Sequence, residues 1–329
     1  MRKSFLGSMV LLMSALLGSV LSGLAFAQTA DYPNKPIKIV VTFPPGGSSD
    51  AIIRILSTRL NDKLGQPLVI DNRPGAGGNI GLSVVAKAAP DGYVLGVGAA
   101  GGLTANVSLY PQMPFDVAKD FQPITMLAAI PFVLVGHPSV PADNIQQLIA
   151  YAKSQAGKVS IGHGGNGTAM HLSTALFTQM ADLKLIEVPY RGSGPAAMDT
   201  LSGQIQLSIT DLAAALPHIK AGKLKAFAVT SPKRLSNLPD VPTLAESGLT
   251  GYDSTGWFGL VAPAGTPASI IQKLNTEFTA ALNDEGIKSQ MRQSGMEPVA
   301  TTTEGLDAYI KSETQKWGRV IRQANIKLN

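Results

Sequence analysis

The chain has 329 residues, no cysteine, and 27 Lys and Arg against 22 Asp and Glu, and only 15% of its residues are charged, against about 25% in ordinary soluble domains. The lack of cysteine excludes disulfides, a cysteine-linked lipid anchor and thiolate metal sites. A formal charge of +5 is mildly basic and far from the profile of a nucleic-acid-binding protein.

Arg2 and Lys3 precede an apolar run from about Met9 to Leu24 and then Ala25-Phe26-Ala27, the parts of a cleaved secretory signal. A membrane anchor is the competing reading. The Ser and Gly within the run and the small-residue site favour cleavage after Ala27, with Gln28 as the new N-terminus. The leader carries two basic residues and no acidic one, so its removal lowers the formal charge from +5 to +3. No other stretch is long and apolar enough to span a bilayer. The mature protein is expected in the periplasm, free to diffuse. Its length exceeds one comfortable core, so two domains are expected.

Strand-like and helix-like runs then alternate. Ile37–Phe43 reads as a buried strand, Ser49–Leu64 as a helix with Ile52, Leu56, Leu60 and Leu64 on one face, and Leu68–Asp71 as a second strand. Gly78–Ala88 is expected to be a short helix and Tyr93–Val97 a third strand. The pattern resumes with strand Pro131–Val135, helix Ile145–Lys153, strand Val159–Ile161, helix Thr168–Met180, strand Lys184–Pro189 and helix Pro195–Leu201. Strands Ile205–Thr210 and Leu224–Thr230 close this second unit. Two long helices follow, Pro267–Leu282 and Thr303–Ala324. This grammar predicts two α/β units with parallel strands and a cleft between them. In open α/β sheets, ligands bind beyond the carboxyl ends of the strands.

Four strand-to-helix loops are rich in small polar residues: Pro44–Asp50, Pro74–Asn79, Gly162–Thr168 and Arg191–Pro195. Glycine lets a ligand approach bare backbone, and a helix N-terminus offers free N–H groups with partial positive charge. Together these make anion sites. Each loop alone also fits a capped turn, but four in one chain, two per unit, favour a shared site.

Nucleotide binding fails on detail. Gly46-Gly47 is followed by Ser48-Ser49-Asp50, without the lysine of an NTPase phosphate loop. Gly75–Gly81 is only a loose match to a dinucleotide fingerprint. Asp50 is expected to act as a favourable charge at a helix N-terminus. No serine sits in a G-x-S-x-G elbow. The histidines His137, His163, His171 and His218 show no metal-ligand spacing, so no metal site is expected. His163, between two glycines, either faces the cleft or packs, while His171 reads as a partly buried helix residue. Arg73 and Arg191 are the cationic candidates, for a carboxylate or for a bridge between loops.

Seven stretches carry a resemblance: "YPNKPIKIVVTFPPGGSSD" (Tyr32–Asp50), "LGQPLVIDNRPGAGGNIG" (Leu64–Gly81), "PDGYVL" (Pro90–Leu95), "GNGTAMHL" (Gly165–Leu172), "VPYRGSGPA" (Val188–Ala196), "LPDVPTLAESGL" (Leu238–Leu249) and "APAGTP" (Ala262–Pro267). With these the whole mature chain resembles the Bug family of periplasmic solute receptors that serve tripartite tricarboxylate transporters. The resemblance implies a type II, Venus-flytrap periplasmic-binding-protein architecture: an α/β fold with two hinge strands. Lobe I would comprise residues 28–128 and 251–329, and lobe II residues 129–250. It implies no enzymatic activity, no cofactor, a small carboxylate ligand (a dicarboxylate, tricarboxylate, amino acid or aromatic acid), membrane permease subunits as partners, and a monomer.

Carried over by position, the first-lobe contacts would be Phe43, Pro45, Gly46, Gly47, Ser48 and Asp50, with Ala76 and Gly77 nearby. The second-lobe contacts would be Gly165, Gly167, Thr168, His171, Arg191, Gly192 and Ser193, and Asp211 is a further candidate. The chain departs from the family pattern at Thr42 (often Pro), Val107 (usually Pro) and His163 (usually a small Ser). Of these, His163 is expected to alter the pocket. Two other functions compete. One is a sensor reporting to a membrane histidine kinase. The other is an exported hydrolase using Asp50 with His163 or His171.

Overall fold

The computed structural model describes residues 32–323 and 326–327, so the expected leader and Ala324 lie outside the described residues. Strand β1 (Ile37–Val41) buries Ile37, Ile39, Val40 and Val41 and exposes only Lys38, as a strand covered on both faces must. The turn after it leads to helix α1 (Ser48–Leu64). Ile52, Leu56, Leu60 and Leu64 lie four residues apart, which puts them in one buried stripe. Gly65 ends the helix at φ 66°. Next come β2 (Leu68–Asn72), a 3₁₀ turn at Ala76–Gly78, α2 (Asn79–Ala86) and β3 (Val94–Ala99). Both β2 and β3 run parallel to β1.

A π-helical turn at Gly101–Ala105 continues into α3 (Asn106–Leu109), then α4 (Val117–Asp120) and the long β4 (Phe121–Ile130). After Pro131 the chain enters a second sheet. Its elements are β5 (Phe132–Gly136), α5 (Ile145–Ser154), β6 (Ser160–His163), α6 (Ala169–Met180), β7 (Ile186–Pro189), α7 (Ser193–Leu201), β8 (Leu207–Asp211), α8 (Leu212–Lys220) and β9 (Lys225–Val229). The return strand β10 (Gly256–Pro263) rejoins the first sheet. It is followed by α9 (Ala268–Leu282), α10 (Glu285–Gln293), β11 (Glu297–Pro298) and α11 (Thr303–Gln323).

The first sheet has the order β11-β4-β10-β3-β1-β2 and the second β7-β6-β8-β5-β9. β4 and β10 pair antiparallel over most of their length. Where the chain passes between the sheets, Thr230 and Phe132 are tied by a bond from the Thr230 N–H to the Phe132 carbonyl. The Ser254 N–H then donates to the Thr230 carbonyl. The two connections therefore run side by side.

Periodicity does not announce β10 or α8. All eight residues of β10 are buried, so the strand has no alternation, and two glycines interrupt it. α8 carries Pro217, which argues against a helix when read locally. The two units also touch away from the crossings: Leu172 of α6 packs with Ala105, Leu109 of α3, and Trp317 and Ile321 of α11.

Candidate functional site

Ten of the residues singled out in the sequence line one cavity of about 240 Å³. Phe43, Pro45, Gly46, Gly47 and Ser48 come from the β1–α1 loop. Thr168 precedes α6, Arg191, Gly192 and Ser193 form the β7–α7 turn, and Asp211 ends β8. Gly46 (φ 83°) and Gly192 (φ 116°) hold backbone conformations that side-chain-bearing residues avoid. They let the chain turn sharply from a strand end into a helix.

Four helix N-termini meet at this cavity, those of α1, α6, α7 and α8. It is lined by Ser48 and Ser49, Ala169 and Met170, Ser193 and Gly194, and Ala213 and Ala214. First-turn N–H groups have no intrahelical acceptor and carry partial positive charge. Their convergence from four directions suits an anion with more than one charged end. The rest of the wall is apolar. Ile130 and Phe132 flank the first crossing, Trp257 lies on β10, and Phe43 meets Phe258 edge to face at 6.3 Å between centroids.

Polar groups on the wall are sparse and distinctive. Ser48 Oγ donates to Asp211 Oδ2 at 2.6 Å, and Ser193 Oγ donates to the same oxygen at 3.0 Å. Burial pushes the Asp211 carboxyl above its usual range, against the opposing pull of the two serine bonds. Ser49 Oγ and Trp257 Nε1 are buried with no hydrogen-bond partner. Buried polar atoms are normally satisfied, so these two stand out in residues that line the cavity. The exposed Arg191 guanidinium has no ion-pair or hydrogen-bond partner among the described residues.

Ser49, Trp257, Phe132, Ile130, Phe258, Ala213 and Ala214 are absent from the sequence-derived set. Most lie on the crossing segments or at the start of α8, and only the topology brings those to the cleft.

Seven expected residues are not on the cavity wall. Asp50 is buried beneath the loop. Its carboxylate accepts from Gly46 N–H (3.1 Å), Arg54 Nε (2.8 Å) and Asn72 Nδ2 (3.3 Å). Burial alone would raise its pKa, but the bonds from Arg54, Gly46 and Asn72 and the Arg54 charge outweigh this and lower it. Ala76 and Gly77 belong to the 3₁₀ turn. A Cβ at Gly77 would stand 3.0 Å from the Asn166 carbonyl, so this turn abuts the loop holding Gly165 and Gly167. Gly167 in turn lies against Asn106 and Tyr110.

His163 and His171 pack together, with ring centroids 4.9 Å apart, beside Glu187 of β7. Burial depresses His163 to about 3, helped by the neighbouring His171, and depresses His171 to about 4. The sequence shows no metal-ligand spacing, yet the fold assembles these three donors from β6, α6 and β7. Thr42, just after β1, donates from Oγ1 to the Val97 carbonyl at 3.0 Å and so ties the end of β1 to β3.

The model of the tripartite tricarboxylate transporter family receptor matches residues 52–326. The chain belongs to that family. It is 38% identical to Protein BugT of Bordetella pertussis over 309 residues, which are 93% of this chain and 95% of that protein. Among solved structures it resembles R. palustris Rpa4515 with adipate, with a TM-score of 0.87 and 36% identity, covering 90% of this chain and 99% of that one. It also resembles MatC from Rhodopseudomonas palustris with bound malate, with a TM-score of 0.83 and 31% identity, covering 88% and 100%. With a TM-score of 0.85 and 34% identity to the periplasmic binding protein BugD, covering 90% of this chain and 99% of that one, the chain has the two-sheet α/β fold of periplasmic binding proteins. This receptor family binds solutes and is not enzymatic, so the hydrolase reading of Asp50 and the histidines falls.

Proposed function

We propose that this receptor captures a small dicarboxylate in the cavity between its two sheets and delivers it, in the periplasm, to the permease subunits of a tripartite tricarboxylate-type transporter. The observation that carries the ligand class is the convergence of four helix N-termini on a small, otherwise apolar cavity. At about 240 Å³ it lies below the roughly 300–1,000 Å³ of drug-sized sites, which favours a small metabolite. Its apolar middle suits a short methylene chain between two carboxylates. Relatives with adipate and malate support the same class.

In this reading residues 28–128 and 251–329 form one lobe, residues 129–250 the other, and the side-by-side crossings act as hinges. Ligand docks on the amides at the start of α1 and recruits the start of α6, α7 and α8. Closure follows from the ligand's greater affinity for the closed state. The monomer would then present its closed form to the permease.

A thermal-shift and calorimetry panel tests this, using ligand-stripped protein with C4–C6 dicarboxylates, citrate, amino acids and aromatic acids. A dicarboxylate at about 100 times its Kd should stabilise the protein by roughly 2.7 kcal/mol. A flat response to every dicarboxylate, or a stronger response to uncharged solutes, overturns the reading.

A further inference from the structure

We propose that His163, His171 and Glu187 form a binding site for a divalent transition-metal ion, best matched by Zn²⁺, separate from the solute cavity. The site arises from strand register. Glu187 pairs with Ile161 across the parallel β6–β7 ladder, and side chains two apart on a strand share a face. Glu187 and His163 therefore point to the same side of the sheet, and α6 crosses that side carrying His171 in its first turn.

Glu187 Oε2 lies 3.8 Å from His163 Nε2 and 3.8 Å from His171 Nε2, and the ligand atoms of the three residues all lie within 4.8 Å of one another. The nearest point equidistant from three such atoms is about 2.5 Å or less from each, a few tenths of an ångström beyond zinc–nitrogen and zinc–oxygen bonds of about 2.0–2.2 Å. Two imidazoles and one carboxylate suit zinc and its transition-metal neighbours, and suit calcium or magnesium poorly.

Access is open. His171 and Glu187 line a second cavity of about 630 Å³ that does not share a lining residue with the solute cavity. Thr178 also lines it, and its Oγ1 is buried without a partner. A fourth ligand position can thus be filled from solvent.

The ring hydrogen bonds give the site a signature. His163 Nδ1 accepts from the Gly165 N–H at 3.2 Å, and His171 Nδ1 accepts from the Gly167 N–H at 3.4 Å. In each neutral ring the proton then sits on Nε2, facing Glu187. A metal on Nε2 moves that proton to Nδ1, where it faces another N–H. Both glycine contacts must therefore loosen on loading. That loop leads directly into Thr168, Ala169 and Met170 of the solute cavity.

The experiment uses chelator-treated full-length mature protein titrated with ZnCl₂ by calorimetry, and with CoCl₂ by visible absorption. One saturable site is expected. Glu187→Gln and His163→Ser should each weaken it at least tenfold while keeping the wild-type circular dichroism spectrum. Amide resonances of Gly165 and Gly167 should shift with zinc, and magnesium should leave them in place. Zinc affinity unchanged in both variants, no saturable binding by wild type, or glycine amides blind to bound zinc would each overturn the proposal. Solute binding is not a readout in this test, so it stands or falls apart from the receptor's ligand class.

Discussion

Ser48, at the start of α1, and Asp211, at the end of β8, are 163 positions apart and meet through a 2.6 Å hydrogen bond in the wall of the cavity between the two sheets. Ser193 shares the same carboxyl oxygen. One side chain therefore links the start of α1 to the second sheet, and it does so with a carboxyl that burial holds above its usual pKa. In the window between the unfolded and the raised folded pKa, the folded state binds more protons than the unfolded state. Stability from this group is therefore greatest at low pH and declines as pH rises through that window.

Asp211→Asn removes this titration. The melting temperature of wild type relative to Asp211→Asn should fall as pH rises from about 4 towards neutrality. Thermal unfolding of both proteins across that range is the check. A difference that does not change with pH would show that Asp211 titrates alike in both states.

Gly47→Val separates binding from folding. Gly47 is the N-cap of α1 at φ −83° and ψ 172°, a region open to any residue, and a Cβ there meets only the Pro44 carbonyl at 3.7 Å. The fold should tolerate the branch, while the isopropyl group fills space needed for backbone approach to the ligand. The expected outcome is a melting temperature close to wild type and at least a hundredfold loss of dicarboxylate affinity by calorimetry. Wild-type affinity would mean that the β1–α1 loop is only a turn.

Much of this architecture is legible in the sequence because strands such as β1 and helices such as α1 declare themselves through local pattern. The site is legible only in part. The β1–α1 and β7–α7 loops carry Gly, Ser and Arg in recognisable order, so Gly47, Arg191 and Ser193 can be picked out. Trp257 and Phe132 lie on segments whose role comes from how two sheets are joined, which no local window contains. His163 shows the opposite failure. Its place beside glycines suggests the cleft, but strand alternation turns it towards Glu187 and away from the solute cavity.

Ser49→Ala should act with opposite signs on the empty and loaded receptor. Ser49 is a lining residue of the cavity, and its Oγ is buried without a partner. Removing an unsatisfied hydroxyl should stabilise the ligand-free protein by about 1 kcal/mol, and it should weaken ligand binding by a similar amount. Thermal melts without ligand, paired with calorimetry, test both signs at once. If affinity and melting temperature fall together, the hydroxyl serves the fold alone.

Asp50→Asn tests whether the loop is held from below. The carboxylate of Asp50 gathers Gly46 N–H, Asn72 and Arg54, and these partners depress its pKa against the effect of burial. A depressed folded pKa means the group's stabilisation is present above the unfolded pKa and is lost as pH falls through the folded one. The Arg54 side of the network is solvent-exposed and screened, so its share is discounted. The bonds to Gly46 and Asn72 remain, and Asp50→Asn should cost about 1–2 kcal/mol near pH 7. The deficit should shrink as pH drops below the ordinary aspartate range. Because Gly46 borders the cavity that Asp50 does not reach, dicarboxylate affinity should also fall, by several-fold, through a loosened loop. Denaturant midpoints at neutral and acidic pH, with calorimetry at neutral pH, decide the matter. A deficit that persists undiminished in acid would show that Asp50 acts through packing and not through its charge.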